Sequence, residues 1–365
     1  MTMKFLIEQQ KILKALHPIA NVAERKQVSP ILSHAYLRLK NNELLIIAND
    51  RETQIEIILE VEHALEEGEI TVPAKKMLEI VRTFSESSMI HCSLKGSKFL
   101  IVCDRSRFEL LTLPAADYPL MKEEAELKRV TLSQSVLKRL LESTAFSMAL
   151  QDFRFYLNGL LFECNGREIS SLCTDGHRLA QTIIAVVGDR TPPFRILIPR
   201  KSVFEILKLI EEKDDFIDIS IGDNHFKIIS PKVCFTSKVL NSQFPDCSGL
   251  IPEVEIISLA STAQIKQALL RAQVMANSHR VTLAWSEGFL RVFSVTEEGE
   301  MAEEEISIDY HGKNIELDFN VQYLLEILSV INDEFIRIGL DVDYKTALLE
   351  SSTSSEAKYV VMPLM

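Results

Sequence analysis

Apolar residues along this chain follow two rhythms. Segments such as NELLIIANDRETQIEIILEV (42–61), HCSLKGSKFLIVCD (91–104) and DFIDISIGDNHFKIIS (215–230) alternate apolar with polar positions and break at Gly, Asn or Asp. A period of two predicts antiparallel strands joined as hairpins. Other segments open with a short strand-like run and pass into apolar residues at helical spacing. They are KFLIEQQKILKAL (4–16), RVTLSQSVLKRLL (129–141) and IISLASTAQIKQALL (256–270), then ITVPAKKMLEIVR (70–82), ILIPRKSVFEILKLI (196–210) and LDFNVQYLLEILSVI (317–331). Each predicts a strand feeding an amphipathic helix. Pro73 and Pro199 are expected in the first turn of their helices, where a missing N–H costs nothing. Asn320 holds the same place in the third copy and is expected as an N-cap.

The phrases recur in a fixed order. Leu13, Leu137 and Ile265 correspond at spacings of 124 and 128, and Pro73, Pro199 and Asn320 at 126 and 121. A third phrase closes each unit: FELLTLPAADYP (108–119), FTSKVLNSQFPD (235–246) and YVVMPLM (359–365). Its Phe108, Phe235 and Tyr359 are spaced by 127 and 124. Three phrase types in one order, at one period near 125, predict a threefold internal repeat. The polar stretches KEEAELK (122–128) and PEVE (252–255) mark the joints, giving domains 1–125, 126–253 and 254–365. Each holds two helices and several meandering strands. The expected class is α+β, with helices gathered on one face of antiparallel sheets.

Composition sharpens this picture. At 365 residues, 47% of them hydrophobic, the chain can bury several cores. It lacks the pairing of low hydrophobicity with high net charge that marks disorder. No apolar run reaches the ~20 residues of a membrane-spanning helix. The start, MTMKFLIEQQKILKAL, is interrupted by charged and amide residues and lacks the apolar stretch of an export signal, so a cytoplasmic protein is expected. Six scattered cysteines form no CxxC pair and read as reduced thiols. A net charge of −12 argues against a strongly basic nucleic-acid binder. The helical phrases nevertheless carry Lys11, Lys14, Lys75, Lys76, Arg82, Lys138, Arg139, Arg200, Lys201, Lys208, Lys266 and Arg271. The acidic runs Glu66–Glu67, Glu123–Glu124, Asp214–Asp215 and Glu303–Glu305 lie mostly elsewhere. An acidic chain can thus keep a basic helical face.

Candidate chemistry is sparse. CTDGHRLA (173–180) contains Asp175 and His177, which could serve as an acid–base pair or begin a metal site. Catalytic zinc needs three protein ligands, and no HExxH or similar constellation supplies them. A tight turn, with Thr174 and Asp175 bonding the backbone and Gly176 at positive φ, accounts for the same residues. No P-loop, GxGxxG or GxSxG occurs, so no cofactor is implied. A metal-dependent hydrolase centred on Asp175 and His177, and a scaffold that binds peptides but not DNA, stand as rival readings.

FSMALQDFRFYLNGLLFE (146–163), CTDGHRLA, IPRKSVFEIL (198–207), FTSKVLNSQFPD, TLPAADYP (112–119) and YVVMP (359–363) together resemble the bacterial β sliding clamps, the processivity subunits of DNA polymerase III. The resemblance runs from Met3 to the last residue and agrees with the threefold repeat. It implies three repeated DNA-clamp domains per chain and a head-to-tail dimeric ring around double-stranded DNA. It implies no catalysis: the clamp tethers the replicative polymerase, the clamp loader and other partners, with no membrane attachment. Carried over motif by motif, the partner groove comprises Leu157, Thr174, Gly176, His177, Arg178, Leu179, Pro245, Val360, Val361, Met362 and Pro363. DNA contact falls on Lys26, Gln151, Arg154, Phe155 and Tyr156. The dimer interface pairs Phe108 and Leu110 of one copy with Val274 and Met275 of another. Metal and cofactor are not implied. The chain departs from the family pattern at Cys247–Ser248–Gly249, where aromatic and basic residues are common, at the ending Pro363–Leu364–Met365, and in the shorter NSHRVTL (277–283).

Overall fold

The structure is a computed structural model that describes residues 2–23, 29–186, 192–276 and 279–364. Among the described residues it contains six α-helices, α1 (Gln9–Val22), α2 (Ala74–Arg82), α3 (Gln134–Glu142), α4 (Arg200–Leu209), α5 (Thr262–Met275) and α6 (Val321–Val330). Each follows directly on a strand, as the phrase pattern predicts. Pro73 and Pro199 are the last residues of their strands, not the first of the helices. Both strands, Gly68–Pro73 and Phe194–Pro199, lie at sheet edges, where a missing N–H breaks no ladder. Asn320 caps α6 as expected, its side chain accepting from the Gln322 N–H at 3.0 Å.

Among the described residues all sheets are antiparallel, and two of the four are shared between repeats. A five-stranded sheet runs His63–Glu66, Lys4–Glu8, Met89–Lys95, Lys98–Cys103, Ser106–Leu111. An eight-stranded sheet runs Lys128–Ser133, Phe216–Ile221, His225–Ile229, Val233–Lys238, Thr53–Glu60, Glu43–Asn49, His34–Lys40, Gly68–Pro73. Its seam is the pairing of Val233–Lys238 with Thr53–Glu60, which sets Phe235 opposite Ile55. A second eight-stranded sheet runs Phe194–Pro199, Gly159–Cys164, Glu168–Thr174, Arg178–Ala185, Ala357–Val361, Ala347–Ser351, Phe335–Leu340, Ile256–Ser261. Its seam pairs Arg178–Ala185 with Ala357–Val361 and sets Tyr359 opposite Ala180. A four-stranded sheet runs Met301–Ser307, Phe289–Val295, Arg280–Ser286, Ile315–Asn320.

The chain accordingly divides into two compact units that cut across the repeats. One comprises residues 1–138 and 201–239, the other 139–200 and 240–365. In the first unit α1 buries Ile12, Leu16 and Ile19 over the strands Glu43–Asn49 and Thr53–Glu60. In the second, α5 and α6 pack together, with α5 also lying over Phe289–Val295 and Met301–Ser307. They cover a core centred on Trp285, whose indole N–H donates to Ser258 Oγ at 3.1 Å.

Candidate partner groove and DNA-facing residues

The turn at 174–178 joins two neighbouring strands of the second eight-stranded sheet. Asp175 Oδ1 accepts the N–H of His177 at 2.9 Å and of Arg178 at 3.1 Å. Thr174 Oγ1 accepts the Gly176 N–H at 3.1 Å and donates to the Arg178 carbonyl at 2.6 Å. Gly176 has φ +94°, a conformation that side chains resist. Asp175 therefore shapes the backbone, and His177 is exposed. Among the described residues no group of three or more His, Cys, Asp or Glu side chains could hold a metal.

Arg178 turns inward. Its Nε donates to Asp175 Oδ2 at 3.0 Å, one terminal nitrogen to Glu326 of α6, and the other to the Phe146 carbonyl at 2.7 Å. Its guanidinium lies 4.2 Å from the Tyr323 ring centroid and 5.4 Å from that of Phe146. With 8% of the side chain exposed, it braces the hairpin against α6 and offers little to a ligand.

Leu179 and Val360 meet across the seam in one apolar cluster with Leu161, Leu172, Leu197, Leu348, Phe244 and Cys247. Tyr156 and Leu240 pack against it, Tyr156 meeting Phe244 edge to face at 5.9 Å. Burial pushes the Cys247 thiol upward, so it is a small apolar wall residue. Val361 points the opposite way, into the core of the third repeat, because neighbouring residues of a strand alternate faces. Met362 continues over the turn, its N–H donating to the His177 carbonyl at 3.0 Å, and is 47% exposed. Pro363 is half-buried and Pro245 exposed. Leu157 is buried; its N–H and carbonyl tie together the loop from Ala149 to Asn158. The result is an apolar floor beneath an exposed rim of His177, Pro245 and Met362. Phe244, Cys247 and Leu348 belong to this floor; from sequence Cys247 stands out only as a departure from the family pattern, and Phe244 and Leu348 are not singled out. The signal for the first two was the FPDC phrase itself.

The 150–156 loop is strongly apolar at its surface. Leu150, Phe153 and Phe155 are 76%, 84% and 72% exposed, and Gln151 is exposed at φ +58°. Arg154 is not free. Its Nε donates to Asp152 Oδ1 at 3.0 Å and one terminal nitrogen to Oδ2 at 2.9 Å, while its guanidinium lies over Gly176. Arg154 holds the Asp152 carboxyl below the usual carboxylate range. Tyr156 is half-buried in the groove wall. Lys26 lies outside the described residues.

At the proposed dimer contact, Phe108 is half-buried against Phe84, with ring centroids 5.9 Å apart, and Leu110 is buried. Val274 is 80% exposed and Met275 half-buried. Their helix is tied to the edge strand Met301–Ser307 by an ion pair between Arg271 and Glu304.

Three like repeats joined by sheets that pass from one repeat into the next, each with two strand-fed helices, define the sliding-clamp class. The DNA polymerase III beta subunit family matches along the chain in three parts: its N-terminal domain over residues 3–122, central domain over 131–246 and C-terminal domain over 249–365. The beta sliding clamps of Pseudomonas aeruginosa and Escherichia coli K12 are each 35% identical over 365 residues, covering 99% of this chain and 100% of the relative. A crystal structure of the P. aeruginosa clamp bound to griselimycin superposes with a TM-score of 0.95 at 35% identity, covering 100% of both chains. The C. crescentus clamp gives 0.94 at 29% identity, covering 100% of this chain and 99% of that one. The chain belongs to the DNA polymerase III beta subunit family. It is a sliding clamp, a non-catalytic processivity factor of that polymerase, which removes the hydrolase reading of Asp175 and His177.

Proposed function

We propose that two copies of this chain, each contributing domains 1–125, 126–253 and 254–365, join head to tail in the cytoplasm into a ring around duplex DNA. The helices face the DNA, with Gln151, Phe155 and their loop available to bases and phosphates. The floor under Leu179 and Val360, rimmed by His177 and Met362, takes short apolar peptides of the replicative polymerase, the clamp loader and other partners.

The repeated seam carries this reading. Twice within the chain, the closing strand of one repeat pairs with a strand of the repeat before it. Phe235 then faces Ile55 and Tyr359 faces Ala180, each the third residue of its strand. The first repeat's closing strand, Ser106–Leu111, and the third repeat's Met301–Ser307 are sheet edges. Exposed edges are templates for pairing with another chain. Joining these two edges between copies, twice, satisfies both and closes a ring. Keeping the inward faces of the two strands on one side then sets Phe108 opposite Ala302 and Arg107 opposite Glu303 of the second copy. Charge agrees, since Arg105 and Arg107 border one edge and Glu303–Glu305 run along the other. Leu111, 69% exposed, and Val274 beside the opposite edge would then be covered.

The test is to load the protein with a clamp loader and ATP onto nicked circular DNA, filter it at high salt, then linearise the DNA and filter again. Retention on the circle and loss after cutting are expected. Equal release from circular and linear DNA as salt rises would overturn encirclement.

A further inference from the structure

Five of the basic residues that recur on the helices are occupied before any DNA arrives. Lys14 on α1 lies 3.2 Å from Glu211, and Lys138 on α3 lies 3.8 Å from Glu212. Lys201 is paired with Asp50, Arg139 with Glu356 and Arg271 with Glu304. In each pair the carboxylate arrives from a different element. The first two pairs are the most telling. Glu211 and Glu212 follow α4 and reach lysines of two further helices, within one compact unit. The Lys14 side chain is 84% exposed, as is that of Glu212. Such solvent-exposed pairs contribute little to folding stability. Their effect falls instead on what the lysines can do, because a phosphate must displace a carboxylate already in place.

We infer that Glu211 and Glu212 are grip-limiting residues, internal counter-ions that hold Lys14 and Lys138 back from the DNA backbone and keep the ring's contact weak enough to slide. The inference rests on the reading that the helices face DNA. Counterion release makes each phosphate contact steepen the salt dependence of binding by about 0.9 in log–log slope. Freeing both lysines therefore adds up to about 1.8 to the slope, or a roughly tenfold larger loss of affinity between 50 and 200 mM salt.

The experiment compares the full chain with Glu211→Gln combined with Glu212→Gln, and with a charge-matched control, Glu66→Gln combined with Glu67→Gln. Binding to a short linear duplex is titrated across salt, and diffusion along DNA is followed for rings loaded on circles. The Glu211/Glu212 variant is expected to bind the duplex more tightly at low salt, with a slope steeper by one to two, and to diffuse more slowly. Glu211 also pairs with Lys213. The gain is therefore assigned by adding Lys14→Gln and Lys138→Gln, which should abolish it, and separately Lys213→Gln, which should not. The same Lys14 and Lys138 changes in the unmodified chain should move the slope little. An unchanged slope overturns the inference, and so does an equal shift in the control, which would make net charge the cause. Circle retention of the unmodified chain reports separately on encirclement. The duplex slope is read whichever way that result falls, so the two ideas fail independently.

Discussion

Arg178 sits in the most functional-looking phrase of the chain, yet its side chain is a strut. It joins Asp175 to Glu326 and is sandwiched by Phe146 and Tyr323. Replacing it with Ala strands two carboxylates at a largely buried site and should cost about 3 kcal/mol, seen as a lowered thermal midpoint. Arg178→Lys should recover only part of that, because an ammonium cannot form the planar fork that serves three acceptors at once. Met362 behaves oppositely. Being half-exposed on the rim, Met362→Ala should weaken binding of a clamp-motif peptide by roughly tenfold or more, as interface anchors do, with the thermal midpoint unchanged. Undiminished peptide affinity in a titration would move the docking site elsewhere. The turn at Asp175–Gly176 was legible in sequence, because Asp followed by Gly has a local backbone chemistry. The opposite facing of Val360 and Val361 was not: alternation says that they differ, but not which one meets which core. Nor was the capture of Arg154 by Asp152, since either an exposed or an intramolecular pairing suits the same residues.

At the scale of elements, all six helices were legible because strand and helix periods change abruptly within each phrase. The prolines were placed one step too far along. In Pro73 and Pro199 the preference for a helix start competes with tolerance at a sheet edge, and the edge position prevails. Pro199 pairs with Gly159, whose missing side chain is a condition of that pairing. A Cβ at Gly159 would stand 2.9 Å from the Ile198 carbonyl oxygen and 2.8 Å from a Leu240 methyl. Gly159→Ala should therefore force the edge strand outward and cost about 1–3 kcal/mol, with faster amide exchange in Phe194–Pro199 than in the strands across the seam. Exchange unchanged along that strand would contradict the steric argument.

At the scale of the molecule, the threefold period was legible, but sheet sharing was not. Local sequence fixes strand type, and pairing between strands some 175 residues apart leaves no periodic trace. The two outer edges, Ser106–Leu111 and Met301–Ser307, set the expectation for assembly. Sedimentation should give twice the 41.4 kDa chain mass, and Arg107→Glu should shift it toward one chain by setting like charges across the seam. Combining Arg107→Glu with Glu303→Lys should restore the pair, and a failure of both changes to alter the mass would place the contact elsewhere. The shared sheets also bear on how the chain is made. When Thr53–Glu60 leaves the ribosome, its seam partner Val233–Lys238 has yet to be synthesised. At about 5–20 residues per second the wait is on the order of 10–35 s, during which the strand is a bare edge. Arg178–Ala185 waits equally long for Ala357–Val361. Nascent chains are thus vulnerable twice during synthesis, at points set by the seams and not by the repeat boundaries. A ribosome stalled between residues 60 and 233 would display an unpaired template to every neighbouring nascent copy.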